Sequence, residues 1–182
     1  MVEPALHRPL AGVGRRPNLR FVVSHPAHAI ALGFGSGLAP VAAGTSGTVF
    51  AWITYDLFLA GRGDAVIALV LVVSFAVGWW ACTVSARDLD QTDPSAVVWD
   101  EVLAFWLVLW LVMPASWLAQ AVGFVLFRVF DAAKPGPVAW ADQRFKGRRS
   151  EPIGWAQGFG ILFDDLVAAL CTLVVIAVWR FV

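Results

Sequence analysis

The stretch AVIALVLVVSFAVGWWACTV, residues 65–84, carries no charged side chain over twenty consecutive positions. About 20 apolar residues match the hydrocarbon thickness of a bilayer, so this run predicts a transmembrane helix. On its N-terminal side, Gly61-Arg62-Gly63-Asp64 closes an earlier apolar segment at 46–60, SGTVFAWITYDLFLA. On its C-terminal side, the polar stretch SARDLDQTDPSAVVWD, residues 85–100, leads into two apolar limbs at 101–113 and 116–130 with Pro114 between them. Each limb is short for a full span, which calls for tilt, overlap into the flanks or partial insertion. A polar segment at 131–157 holds Pro135, Pro137, Pro152 and the basic residues Lys146, Arg148 and Arg149. Residues 158–182 end the chain as an apolar helix interrupted by Asp164 and Asp165. The pattern predicts an all-α, multi-pass membrane protein with about four to five membrane-embedded helices.

Composition agrees with that reading. Hydrophobic residues fill 59% of the 182 positions and charged residues only 14%, against roughly 25% charged in an average soluble domain. Intrinsic disorder is excluded, because it needs low hydrophobicity and high net charge. An ordinary soluble domain is disfavoured, because it must cover its core with polar surface. Lys and Arg total 13 and Asp and Glu total 13, so no bulk basic field points to nucleic acid. Cys82 and Cys171 lie in apolar runs with no CxxC spacing and no histidine nearby, which reads as two inert, buried thiols. Residues 1–27 contain Arg8, Arg15, Arg16 and Arg20. They lack an apolar core ahead of a small-residue cleavage site, so they read as an extended or partly disordered basic arm and not as a signal peptide.

The placement of charge says more than its sum. With the arm in the cytoplasm and five crossing segments, the loops at 85–100 and 131–157 fall on the arm's side. Eleven of the 13 basic residues then lie there, with Arg62 and Arg180 opposite, as the positive-inside rule favours. The same folding gathers Asp88, Asp90, Asp93, Asp100, Glu101, Asp131, Asp142, Asp164 and Asp165 near one membrane face.

Asp164 and Asp165 are flanked by ILF and LVAAL, where a carboxylate is costly unless it meets a partner or water. Neighbouring helix positions point about 100° apart, so one partner cannot serve both. With the other acids at this level, oxygen-rich binding of a hard cation such as Mg²⁺ or Mn²⁺ explains them. Arg128 and Asp131 share a helix face three residues apart, and Lys134 precedes Pro135, where that helix should end. They form either an interfacial ion pair or a phosphate contact beside a metal-binding Asp131. Gly33, Gly35, Gly37 and then Gly44-Thr45-Ser46-Gly47-Thr48 suit close helix packing or an anion nest at a helix N-terminus. His28 begins this stretch and either lines the site or serves the interface structurally.

Two familiar chemistries are excluded. Asp88-Leu-Asp90-Gln-Thr92 matches the DxDxT pattern of aspartyl-phosphate hydrolases, but no apolar strand precedes it. His7, His25 and His28 are the three histidines, all before residue 30, so neither a histidine-nucleophile phosphatase nor a His-rich zinc site can be built. A transporter using intramembrane carboxylates is the rival class. It should show ionisable groups at several depths, whereas the outer half offers Asp56, Arg62, Asp64 and Arg180.

Four blocks resemble the phosphatidylglycerophosphatase A family: GFGSGLAPVAAGTSGT (Gly33 to Thr48), DPSAVVWDE (Asp93 to Glu101), FRVFDAAKPGPV (Phe127 to Val138) and GFGILFDDLVAAL (Gly158 to Leu170). They occur in the family's order. Leu162 and Ala169 stand where the family often has Met and Gly, and KGRRSEPIGWAQ is longer and more basic than usual. The resemblance implies a family-like helical membrane domain over 28–182 behind the arm at 1–27. It further implies a Mg²⁺-dependent phosphatase of the bacterial inner membrane, with its site facing the cytoplasm. That enzyme would convert phosphatidylglycerophosphate to phosphatidylglycerol and inorganic phosphate in phospholipid biosynthesis. On this reading Asp100, Glu101, Asp131, Asp164 and Asp165 hold one or two Mg²⁺, and together with Lys134 form the catalytic set. Arg128, Lys134, His28 and the segment Thr45, Ser46, Gly47 and Thr48 bind the phosphate. The attacking group is then either water or one of the aspartates.

Overall fold

The computed structural model describes residues 16–113, 115–145 and 153–181, and its regular structure is helical, with no strand among the described residues. In chain order the helices are α1 (Leu19–Ser24), α2 (Pro26–Ala31), a 3-10 turn (Gly33–Leu38), α3 (Ala43–Phe58), α4 (Asp64–Leu89), α5 (Trp99–Val112), α6 (Trp117–Ala133), α7 (Gly136–Phe145) and α8 (Trp155–Phe181).

Local chemistry sets the boundaries. Asn18 caps α1 by accepting a hydrogen bond from the Phe21 N–H at 3.1 Å. His25 Nδ1 accepts from the Ala27 N–H at 3.1 Å, and Pro26 opens α2 with its φ already helical. Ser116 caps α6 through the Ala119 N–H. Helix α6 stops at Lys134, which takes a left-handed φ of 43° ahead of Pro135, at the predicted point. Helix α4 stops at Asp90, also left-handed at φ 53°.

Helix α5 lies at the centre. Phe105, Val102, Val108 and Leu109 are buried, and the helix packs on α8, α3, α4 and α6. Its N-terminal end is tied to α2 by the Val98 N–H donating to the Ala31 carbonyl at 2.9 Å. Phe105 stacks on Phe127 of α6 with ring centroids 5.8 Å apart. Gly78 admits the Trp99 ring, which a Cβ would strike.

The two ends of the bundle differ in chemistry. At one end Arg87 donates to the Ile153 carbonyl at 2.7 Å, joining the 85–100 and 131–157 segments. At the other, Trp110 donates to Asp64 and Arg180 donates to the Val112 carbonyl, both at 3.0 Å. Among the described residues, Arg62, Asp64 and Arg180 are thus remote in sequence and contact from the acids that begin α5.

Helices α4 and α8 are the two that are long and apolar enough to cross a membrane. Their most apolar stretches are only 28% and 39% buried, whereas an apolar helix in a soluble protein must be shielded. Val66, Leu69, Val72, Val73, Leu170 and Val174 are exposed on them. This is consistent with a membrane protein. Two such helices are fewer than the four to five embedded helices expected. Helices α3, α5 and α6 have 16, 14 and 17 residues, about 21 to 26 Å at 1.5 Å per residue, short of a ~30 Å hydrocarbon layer.

Two further expectations change. Residues 19–24 and 26–31 are helical and dock through Val22 and Ala27, so this part of the arm is not extended; residues 1–15 lie outside the described residues. The polar 131–157 segment contains α7, whose Val138 and Ala141 pack inward. Lys146, Arg148 and Arg149 lie outside the described residues.

Candidate active site

A cavity of about 560 Å³ opens at the charged end. Helix starts and breaks supply its walls. Asp100 and Glu101 sit in the first turn of α5, where the helix dipole favours acids. Asp164 and Asp165 lie nine and ten residues past Trp155 on α8, about 14 Å along it. Arg128 and Asp131 come from the last turns of α6, and Lys134 from its end. All five predicted acids and both predicted cations line this one cavity.

The five acids divide into two groups. Asp100, Glu101 and Asp165 are buried, and one carboxylate oxygen from each lies within 4.8 Å of the others. A buried oxygen on each lacks a hydrogen-bond partner: Asp100 Oδ1, Glu101 Oε2 and Asp165 Oδ2. Buried acceptors left this way are costly unless something positive joins them. Asp131 and Asp164 are instead engaged. Arg128 Nη1 meets Asp131 at 2.5 Å and reaches Glu101 at 3.5 Å. Lys134 Nζ meets Asp164 at 2.5 Å and also pairs with Asp142 of α7. Burial works against the Lys134 charge, but hydrogen bonds from Lys134 to Asp142 and Asp164 outweigh it and raise its pKa above the usual lysine value.

Backbone strain concentrates here. Ala42 and Lys134 both line the cavity with positive φ, 52° and 43°, at a cost of about 1–2 kcal/mol for a non-glycine residue. Ala42 is the N-cap of α3 and offers no side-chain hydrogen bond, so the first N–H groups of α3 meet the cavity without a side-chain cap. Uncapped N–H groups at a helix start favour an anion. Gly44 is required by close approach, since a Cβ there would collide with Glu101 Oε1 and crowd the Arg128 guanidinium.

The glycine-rich stretch contributes Gly37 to Pro40 and Ala42 to Gly44, but Thr45, Ser46, Gly47 and Thr48 are not among the lining residues. The physical reason is helical rotation: Gly47 packs against Val98, and buried Thr48 donates to the Gly44 carbonyl at 2.8 Å. Thr48 Oγ1 also stands 3.5 Å behind Arg128 Nη1. His28 is likewise outside the cavity. It stacks on Phe21 and bonds Asp88 at 2.8 Å, which is the structural alternative for that residue. Asp88 and Asp90 end an α-helix, so the DxDxT match has no strand beneath it.

Three residues outside the predicted site set complete the arrangement. Asp93 lines the cavity seven residues before Asp100, within the same sequence block. Asp142 braces Lys134 from α7, a helix the sequence reading treated as loop. Arg16 lines the cavity from the arm, placed by Pro17 and the Asn18 cap.

The fold and the cavity define a helical bundle with two membrane-compatible helices and one cavity lined by the five predicted carboxylates and two braced cations. The phosphatidylglycerophosphatase A family profile matches residues 29–180, and the chain belongs to that family. It is 34% identical over 151 residues to the phosphatidylglycerophosphatase A of Escherichia coli (strain K12), covering 83% of this chain and 81% of that protein. It is 31% identical over 160 residues to the Haemophilus influenzae protein of the same name, covering 88% and 92%. No solved structure matches the chain.

Proposed function

We propose that this protein hydrolyses the terminal phosphate monoester of phosphatidylglycerophosphate, giving phosphatidylglycerol and inorganic phosphate. The observation that carries the reading is the three unpaired carboxylate oxygens beside two braced cations and the uncapped start of α3 in one cavity. Asp100, Glu101 and Asp165 would hold Mg²⁺, because an all-oxygen, acidic donor set suits a hard divalent cation. A bound Mg²⁺ would neutralise phosphate oxygens and promote attack by water. Arg128 and Lys134 orient the phosphate as charged donors. Asp131 and Asp164 hold those two side chains in place, so the donors need not reorganise as charge develops on the phosphate.

The diacyl chains stay in the bilayer, and the headgroup enters from the cytoplasmic face of the bacterial inner membrane. The positive-inside distribution of basic residues supports that orientation. The short helices α3, α5 and α6 are membrane-embedded beside α4 and α8, and their exposed Ile53, Leu111 and Val125 face lipid. A transporter reading is not favoured, because at the far end Asp64 accepts from Trp110, Arg180 donates to the Val112 carbonyl and Arg62 donates to the Phe58 carbonyl.

The test is phosphate release by the purified, detergent-solubilised protein from a panel of lipid phosphates, with Mg²⁺ or excess chelator. Release from phosphatidylglycerophosphate that disappears in chelator and returns with Mg²⁺ is expected. No release from that lipid overturns the substrate, and full activity in chelator overturns the metal.

A further inference from the structure

We propose that Arg16 is a substrate-binding residue that recognises the inner phosphodiester of a lipid carrying two phosphates; this rests on the phosphatase reading above. The first observation is depth. The Arg128 side chain is 19% exposed and that of Lys134 is 30% exposed. Arg16 is an exposed residue on the same cavity. The three cations lining the cavity are therefore graded in exposure, with Arg16 the most open to solvent. A phosphate monoester on the floor leaves the phosphodiester, esterified to the membrane-held diacylglycerol, at the mouth.

The second observation is pairing. Arg128 and Lys134 are each bound to carboxylates, whereas Arg16 makes no ion pair among the described residues. A guanidinium without a carboxylate is available for a second anion, and its planar fork suits phosphate oxygens. The third is placement. Pro17 restricts Arg16 to extended backbone. Asn18 then caps α1, and Val22 anchors that helix in the core. Arg16 is thus positioned by Pro17, the Asn18 cap and the buried Val22. It also lies before residue 29, where the family match begins.

The experiment compares wild type, Arg16→Gln and Arg16→Lys in neutral detergent micelles, where attraction to an anionic surface is absent. Wild-type hydrolysis of phosphatidylglycerophosphate tests the phosphatase reading, and the variant-to-wild-type ratios test Arg16. For Arg16→Gln, KM should rise about tenfold, the scale of losing an exposed hydrogen bond to a charged group, with kcat within about twofold. Arg16→Lys should recover at least about half of the loss on a logarithmic scale. Inhibition by phosphatidylglycerol, which keeps only the phosphodiester, should weaken about tenfold in Arg16→Gln, while inhibition by inorganic phosphate stays within about twofold. An unchanged KM, a fall in kcat at constant KM, or equal weakening of both inhibitors would overturn the proposal.

Discussion

Asp164 with Asp165, and Asp88 with Asp90, are two sets of neighbouring acids on the two longest helices, and their surroundings are opposite. The first pair is 6% and 4% exposed within α8. The second lies on exposed positions at the end of α4. Asp165 faces Asp100 and Glu101 with an unpaired oxygen. Asp88 is bonded to His28 and Asp90 closes the helix in a left-handed turn. An acid on an apolar helix thus marks a site where neighbouring helices bury it against other acids. At a helix end in solvent it serves capping and local pairing.

The largest effect that could break this contrast is expected from Asp165→Asn or Asp100→Asn. Each keeps shape and removes charge from the trio that shares unpaired oxygens, and the rate should fall at least about 100-fold. Folding should persist, because removing one of several crowded buried charges need not destabilise. Single-turnover phosphate release on equal amounts of folded protein is the measurement, and near-wild-type rates would remove the trio from the site.

Lys134→Gln should cost about 30-fold, less than a metal ligand but more than an exposed cation. Its raised pKa means that the charge is lost only as pH rises through a value above the usual lysine range. The wild-type to variant ratio should therefore stay constant between about pH 6 and 9. A ratio that collapses within that window would show that Lys134 titrates there.

Gly44→Ala sharpens the comparison from the other wall of the cavity. Its Cβ would push Glu101 and Arg128 aside, and a displacement of about 1 Å should cost about 20-fold. Gly61→Ala is the control in open space, although its φ of 78° predicts a loss of stability instead of rate. Thermal midpoints and rates measured on both variants separate the two causes. The smallest effect is expected from Asp90→Asn, less than about tenfold in rate, or about 1.4 kcal/mol. A dead Asp90→Asn beside an active Asp165→Asn would restore the DxDxT site that the fold excludes.

Much of this was legible in the chain. The uninterrupted run at 65–84 and the apolar stretch around Asp164 became α4 and α8. The break at Lys134-Pro135 ended α6 as expected, because a residue before proline resists continued helix. All five acids and both cations selected from sequence reached one cavity, since an apolar helix tolerates charge only where a partner awaits it. The side chains of segment 45–48 do not line the cavity, because a glycine-rich motif shows which backbone can approach closely, but not which face of the following helix turns toward the site.

By itself, then, the sequence determined a helical chain whose pattern brings most of its acids to one end, because an apolar helix bears charge at a cost unless a partner meets it. Only the tertiary structure decided how those groups pair. Lys134 belongs to Asp142 and Asp164, Arg128 to Asp131, and Asp100, Glu101 and Asp165 are left together. That division depends on the rotation of α5, α6 and α8 about their own axes, set by packing around Phe105, Phe127 and Leu162. Residue spacing along one chain does not contain the relative rotation of three packed helices.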